Sequence, residues 1–142
     1  MTTETVEKKT QQAQALLAKG KLDEATALIQ SALEIDPHHN QALYTSAVIE
    51  RLNKRHSHSI ELLNKVISDR PEFGRAYQEI ALNHVAENNP LDAGNALEQA
   101  VALDPSLLKS WEMLVPLYKK VGSDKLKLAQ EQVAFLRSLP QA

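Results

Sequence analysis

The sequence predicts an all-α fold: a right-handed α-solenoid of about four helix-turn-helix units, with eight antiparallel helices. Three prolines, Pro37, Pro71 and Pro105, recur at a spacing of 34 residues, and each ends a similar helical segment. The composition also favours helix, since Ala, Leu, Gln and Glu are frequent while only four residues are Gly. No strand pattern is evident. A repeat of this length means that each unit buries its apolar face against its neighbours.

Alignment on the prolines divides the chain into four units within one domain, 1–142. The units span about residues 6–39, 40–73, 74–107 and 108–140. Two classes of residue recur in phase, small ones in the first half of each unit and larger aliphatic ones in the second: Ala13, Ala47, Ala81 and Val115, then Ile29, Leu63 and Leu97. Small residues allow helices to approach closely, and large ones fill the space between them. The repeated unit is therefore a pair of packed helices.

Helix caps and breakers give boundaries for these pairs. First helices are expected near 4–18, 39–53, 73–87 and 106–121, and second helices near 22–35, 57–69, 90–103 and 124–138. Pro116 lies inside a first helix, which it should kink or end early because it removes a backbone donor. In the last helix, Ala129, Val133 and Leu136 carry the repeat pattern two residues late. A longer turn before that helix would explain the shift.

Two motifs resemble the tetratricopeptide repeat family over roughly residues 6 to 139. Trp111, Leu114 and Tyr118 reproduce the W-x2-L-x3-Y part of its first helix, and GKLDEA at residues 20–25 is similar to its turn and second-helix start. The resemblance implies that the protein binds another protein or peptide and is not an enzyme. It also implies that the inner wall of the solenoid is formed by the first helices.

Family geometry assigns the partner groove to particular places in each first helix. The residues at those places are Thr10, Gln14, Gln41, Tyr44, Thr45, Val48, Arg51, Arg75, Gln78, Glu79, Leu82, Lys109, Met113 and Lys119. The apolar side chains of this set would form a strip through its middle, and its cations are available to carboxylates, which suits an amphipathic helix or an extended segment. The alternative is that some of these residues only pack between neighbouring first helices.

Chaperone-binding members of the family clamp a C-terminal carboxylate with Lys and Asn side chains. Thr10, Gln14 and Thr45 stand where those residues would be, and Glu79 stands where an Arg is needed. A carboxylate would meet an acidic side chain there instead of charged donors. We therefore expect no binding to the C-terminal tails of the large heat-shock chaperones.

Composition argues against several other functions. A net charge of −2 lacks the basic footprint of a nucleic-acid binder, and the absence of Cys removes thiolate chemistry. No membrane segment or secretion signal is evident, so we expect a cytoplasmic protein with no nucleic-acid or membrane partner. The pairs His38–His39 and His56–His58 lack the spacing of a helical zinc site, and His84 is expected to be packed. No cofactor or metal is expected.

Three alternatives stay open for the role of the chain. Residues 77–122 are similar to the repeat segment that precedes a sulfotransferase domain in bacterial multidomain proteins, so the chain could be the partner-recruiting front of such an enzyme. It could instead be a stand-alone adaptor or a self-assembling architectural protein. Phe135 and Leu139 on the last helix could be ordinary exposed residues, a homodimer contact or the seam to a further segment.

Overall fold

The computed structural model describes residues 3–140, which form eight α-helices and no strand. The helices are α1 (Thr3–Ala18), α2 (Leu22–Ile35), α3 (Asn40–Leu52), α4 (His56–Asp69), α5 (Gly74–Ala86), α6 (Pro90–Leu103), α7 (Leu108–Val121) and α8 (Leu126–Ser138). The predicted all-α fold is confirmed, and every predicted helix boundary lies within two residues of the observed one. Each repeat is one pair of consecutive helices.

The helices group into two compact halves. The N-terminal half, Met1–Pro71, holds the first two repeats, and the C-terminal half, Glu72–Ala142, holds the last two. The boundary between the halves lies two residues before the predicted boundary at 73/74. The expectations of one domain and of a right-handed solenoid stay predictions.

In the N-terminal half, α3 packs against both α1 and α2. Ala13, Ala25, Ile29 and Ile49 form one cluster there, and each is at most 2% exposed. Small residues on α1 and α2 let the helices approach, and the larger Ile side chains fill the space between them. The predicted phase of small and large residues is therefore the phase of the core.

In the C-terminal half, α5 packs on α6, α6 on α7 and α7 on α8. Leu97 and Leu114 are fully buried. Trp111 is 8% exposed, and its Nε1 donates a hydrogen bond to the carbonyl oxygen of Pro105 at 2.8 Å. Trp111 and Leu114, which belong to the family-like motif of the fourth repeat, thus stabilise the fold.

The turn inside each repeat has the same conformation. One residue per turn has a left-handed backbone: Gly20 (φ 76°), Lys54 (φ 64°), Asn88 (φ 60°) and Gly122 (φ 67°). The N–H of the next residue donates to the carbonyl oxygen five residues earlier, at 2.8 to 2.9 Å in these four turns. This is the hydrogen bond of a left-handed helix C-cap.

The fourth repeat differs from the others in two ways. Of the two effects expected of Pro116, the early end of the helix is wrong, because α7 continues to Val121, and the kink stays a prediction. Pro116 is exposed, and its ring removes the N–H that the carbonyl four residues earlier would accept from. The turn between α7 and α8 has four residues, 122–125, where the other repeats have three. The predicted longer turn is confirmed, and Ala129 and Val133 are buried as its register requires.

Candidate functional site

Neighbouring first helices are linked side by side within each half. In the N-terminal half, Gln14 Nε2 on α1 donates to Thr45 Oγ1 on α3 at 3.1 Å. In the C-terminal half, Ser110 Oγ on α7 donates to Gln78 Oε1 on α5 at 2.6 Å. Each half therefore presents a continuous surface made of two first helices. Gln14, Thr45 and Gln78 partly serve to join these helices, which is the alternative that the sequence left open.

Three of the predicted groove residues are buried, which corrects the expectation that they face solvent. Thr10 and Thr45 are each 1% exposed and Glu79 is 6% exposed. The hydroxyls of Thr10 and Thr45 each donate to a backbone carbonyl four residues earlier, at 2.8 and 2.9 Å. Such short side chains bond to their own helix and leave no polar group for a partner.

The other eleven predicted groove residues retain accessible surface. Four of them are exposed, namely Gln41, Arg75, Lys109 and Lys119. The other seven are half-buried, namely Gln14, Tyr44, Val48, Arg51, Gln78, Leu82 and Met113. On α3 the spacing of Gln41, Tyr44 and Val48 places them on one face. On the C-terminal half, exposed cations flank half-buried Leu82 and Met113. Each half thus offers an apolar strip with polar edges, and a strip shared by the two halves stays a prediction.

The side chains at the clamp places carry no positive charge. Thr10 and Thr45 are buried and bonded to their own helices, and the Gln14 amide is bonded to Thr45. Glu79, an acidic residue, is also buried. A terminal carboxylate therefore finds no charged donor at these places.

The histidines have structural contacts that the sequence did not predict. His39 Nδ1 accepts a hydrogen bond from the Ala42 amide at 3.2 Å and so caps the start of α3. His58 Nδ1 lies 2.8 Å from Glu50 Oε2. Within residues 3–140 no group of three His, Cys, Asp or Glu side chains is placed to hold a metal ion. A His N-cap is rare enough that no spacing rule would have identified it.

The C-terminal half also has a polar cluster, formed by Glu98, Tyr118 and Lys125, that the sequence did not predict. Tyr118 Oη donates to Glu98 Oε2 at 2.6 Å, and Lys125 Nζ donates to the same oxygen at 3.0 Å. Burial is the largest cause that raises the pKa of Tyr118, and the hydrogen bond to Glu98 is the second. The hydrogen bonds from Tyr118 and Lys125 lower the pKa of Glu98. The cluster borders a cavity of about 350 Å³ between α6 and α7, with Leu91 and Val121 exposed at its rim.

The last helix exposes an apolar stripe, defined here as Leu128, Phe135 and Leu139. These side chains are 51%, 59% and 44% exposed. Leu128 and Phe135 lie seven residues apart, which places them on one face of α8 and away from the buried Ala129 and Val133, and Leu139 directly follows the helix end at Ser138. The equivalent places to Leu128 and Phe135 in the other three second helices hold only polar residues: Glu24, His58, Asp92, Ser31, Lys65 and Gln99.

A second surface on this repeat is the terminal groove between α7 and α8. It encloses about 310 Å³ and is lined by Glu112, Val115, Gln130, Val133, Ala134 and Arg137. The side chain of Arg137 bridges it through two hydrogen bonds to Glu112 Oε2, at 2.5 and 3.2 Å. The groove side of α8 carries Gln130 and Ala134, so it is a different face from the apolar stripe. No helix in the described range is long and apolar enough to cross a membrane.

Comparison with known proteins agrees with this architecture. Residues 10–73 match the family model described as tetratricopeptide repeat. The chain is similar to the solved structure of MamA residues 41 to end from Desulfovibrio magneticus RS-1, with 25% identity and a TM-score of 0.73, over 96% of this chain and 78% of that one. No curated protein sequence matches it.

Two further solved structures share the fold. One is a thermophilic TPR protein of Thermus thermophilus, with 20% identity and a TM-score of 0.80, over 95% of this chain and 76% of that one. The other is the first TPR of Spaghetti (RPAP3) bound to the HSP90 peptide SRMEEVD, with 15% identity and a TM-score of 0.75, over 87% of this chain and 98% of that one. At such identities the similarity shows the fold alone.

Proposed function

Because the chain carries tetratricopeptide repeats over residues 10–73 and has the fold of tetratricopeptide-repeat proteins throughout its described residues, we propose that it is a protein-interaction module. It binds a peptide or helical segment on the exposed side of its first helices. The observation that carries this proposal is the pairing, in each half, of half-buried apolar side chains with exposed polar ones on neighbouring first helices. Such a surface can bury apolar area and still direct polar contacts.

The contribution of the N-terminal half comes from α3. Tyr44 and Val48 lie one turn apart and are half-buried, and Gln41 is exposed on the same face. A Tyr side chain combines a large rigid surface with a hydroxyl, which makes it a frequent anchor in interfaces. Tyr44 is therefore the residue on which we expect binding to depend most in this half.

The contribution of the C-terminal half comes from α5 and α7, which the Ser110–Gln78 hydrogen bond holds together. Met113 and Leu82 supply apolar surface, and Met adapts its shape to different partners. Arg75 and Lys109 stand at equivalent places of the two helices and are both exposed. Two cations beside an apolar strip favour a partner that carries carboxylates close to its apolar residues.

The preferred partner is thus an amphipathic helix or extended segment with acidic residues, bound along its length. The structure of the Spaghetti TPR holds an HSP90 peptide. That ligand does not suit this chain, because buried hydroxyls, a bonded amide and a buried acidic side chain occupy the clamp places. Recognition of internal segments fits these residues better than recognition of a chain terminus.

Affinity capture with the full chain tests the proposal. Tyr44→Ala and Met113→Ala should each weaken binding of the recovered partner by about fivefold or more, which corresponds to about 1 kcal/mol. Leu103→Ala is the matched control, because Leu103 is a 42% exposed apolar residue on the second helix α6. Helicity and unfolding midpoints of the variants confirm that they remain folded.

The result that contradicts the proposal is a partner that binds all three variants as tightly as the unmodified chain. A partner lost only in Leu103→Ala would place binding on the second helices instead. Replacement of Lys109 by Glu, with Lys65→Glu on α4 as the control, then tests the acidic character of the partner. Both lysines are exposed, so the charge change at each has the same solvent access.

Self-association through α8 is the second candidate, and the apolar stripe favours it. Leu128 and Phe135 are more than half exposed at places that are polar in the other three second helices, so stacking of repeats does not require them. In an antiparallel pair of α8 helices, Leu128 of each chain would meet Phe135 of the other. Burial of this stripe would support a homodimer, as proposed for an architectural role.

Light scattering over a range of concentrations tests the homodimer. The unmodified chain should show a mass that rises with concentration, and Phe135→Glu should remain a monomer. Gln99→Glu, at the equivalent place of α6, is the control for an added surface charge. A monomer at every concentration would remove self-association from the account.

Two narrower proposals rest on sequence similarity and composition only. The chain could be the partner-recruiting region of a larger bacterial sulfotransferase-like enzyme, and a reading frame continuing through residue 142 into such a domain would support this. We also propose a cytoplasmic location, which rests on the sequence-based expectation of no secretion signal or membrane segment, and cell fractionation with an antibody to the chain tests it.

A further inference from the structure

The terminal groove between α7 and α8 corresponds to the groove between α1 and α2, which a further helix occupies in the first repeat. In the first repeat, α3 lies in the groove between α1 and α2, where Ile49 packs in one cluster with Ala13 and Ile29. Val115 stands at the Ala13 place of the fourth repeat, and Val133 stands at the Ile29 place after the two-residue shift. Both line the terminal groove, and within residues 3–140 no helix follows α8 to fill it.

The helix that fills the groove of the first repeat has a recognisable pattern. Towards α1 and α2 it presents Ala42, Thr45 and Ile49, three buried residues at positions i, i+3 and i+7. Their places in α7 hold Ser110, Met113 and Leu117. In α3 and α7 a small residue therefore comes first, a polar or flexible one follows after three residues, and an aliphatic one follows after four more, whereas α5 has Asn83 at the last of these places. The small residue permits close approach, and the aliphatic residue fills the groove.

The groove also offers a matching hydrogen-bond acceptor. Ser110 of α7 donates to Gln78 of α5 at 2.6 Å, and the Gln78 place in the fourth repeat holds Glu112. Glu112 is paired with Arg137, whose side chain is 63% exposed. Exposed ion pairs contribute little to stability, so the carboxylate can accept a further donor without a large loss. A Ser or Thr at the first position of an incoming helix would find this acceptor.

We propose that the terminal groove binds one amphipathic helix of a partner polypeptide, with the pattern small, then polar or flexible at i+3, then aliphatic at i+7. The helix lies as α3 lies on the first repeat. It is not the α1 helix of a second copy, because the same places of α1 hold Lys8, Gln11 and Ala15, which offer no aliphatic side chain large enough to fill the groove. Copies of this chain therefore do not extend head to tail through this groove.

This groove shares the helix α7 with the first-helix surface but lies on a different face of α8 from the apolar stripe. Its apolar floor lies between α7 and α8, and its lining residues Gln130 and Ala134 face away from Leu128 and Phe135 on α8. The three surfaces can therefore be tested one at a time.

A synthetic peptide with the sequence of α3, Asn40–Leu52, is the probe. It carries a fluorophore and a helix-stabilising staple on the side opposite Ala42 and Ile49, and it is titrated with the full chain. Saturable binding is expected, and the same peptide with Ile49→Glu should bind at least tenfold more weakly. Absence of saturable binding, or equal binding of the two peptides, overturns the proposal.

Two variants of the full chain locate the peptide. Ala134 is exposed and lines the groove, so Ala134→Glu keeps the fold and should weaken binding of the α3 peptide at least tenfold. Leu128→Glu places the same charge on the apolar stripe and should leave the peptide affinity unchanged. Equal affinities for Ala134→Glu and the unmodified chain, or a loss confined to Leu128→Glu, overturn the assignment to the groove.

Discussion

Replacement of Lys54 by Gly should stabilise the protein, because Lys54 has a left-handed backbone (φ 64°) that Gly adopts without strain. An L-residue in this conformation costs about 1 to 2 kcal/mol. Gly in turn loses more backbone entropy on folding, by about 0.5 to 1 kcal/mol. The difference predicts a gain of about 0.5 to 1 kcal/mol in the free energy of unfolding. For a chain of this size, that gain corresponds to a rise in midpoint temperature of about 2 to 3 °C.

Two further variants separate the backbone from the side chain. Lys54→Ala removes the exposed side chain but keeps the Cβ, so its midpoint should stay close to that of the unmodified protein. Gly20→Ala makes the reverse change at the equivalent place of the first repeat, where an added Cβ meets nothing within 4 Å. Its cost of about 0.5 to 1 kcal/mol therefore comes from the backbone alone.

Thermal and urea unfolding followed by circular dichroism measure these effects. The expected order of stability is Lys54→Gly, then the unmodified chain and Lys54→Ala together, then Gly20→Ala. An unchanged or lowered midpoint for Lys54→Gly, with Gly20→Ala as stable as the unmodified chain, would refute the conclusion that the four turns share one left-handed conformation.

Leu97→Ala should lower the free energy of unfolding by about 2 to 5 kcal/mol, because Leu97 is fully buried and its loss leaves a cavity. Ala81→Leu should lower it by about 1 to 3 kcal/mol through overpacking. Unchanged urea midpoints for both variants would contradict the assignment of these two residues to core positions of the repeat. Ser59 Oγ donates to a backbone carbonyl at 2.7 Å and is fully buried, so Ser59→Ala should cost about 0.5 to 1.5 kcal/mol in the same assay. Glu98 has a lowered pKa in the folded protein, so its contribution to stability is present above its unfolded pKa and is lost as the pH falls through the folded value. Tyr118→Phe should move the Glu98 pKa, followed by carboxyl NMR, back towards its ordinary value, and an unmoved pKa would show that the Tyr118 hydrogen bond does not hold it down.

The 34-residue period predicted the helices well because each repeat packs its pair of helices with small and large residues at the same positions. Gly20 and Gly122 marked two of the turns, since Gly adopts a left-handed conformation without steric strain. Asn88 carries a weaker signal, because Asn also tolerates this conformation, whereas Lys54 has the same conformation with no such signal. Only the period placed the turn at Lys54, because tertiary packing imposes the left-handed conformation on a residue that does not favour it.

The surface was harder to predict from sequence than the core. The family resemblance assigned Thr45 and Gln78 to the inner face of the first helices, but it could not tell solvent from a neighbouring first helix, and both side chains bond to one. Glu98 reaches Tyr118 and Lys125, which are 20 and 27 residues away, so no local spacing rule brings them together.

Residue-level footprinting of the complex tests the central claim, that a partner binds the first helices, most directly. Amine labelling with mass spectrometry compares four exposed lysines, Lys109 and Lys119 on a first helix and Lys65 and Lys127 on second helices. A partner bound to the first helices should protect Lys109 from labelling while Lys65 and Lys127 react as in the free protein. Protection of Lys65 and Lys127 with Lys109 fully reactive would contradict it.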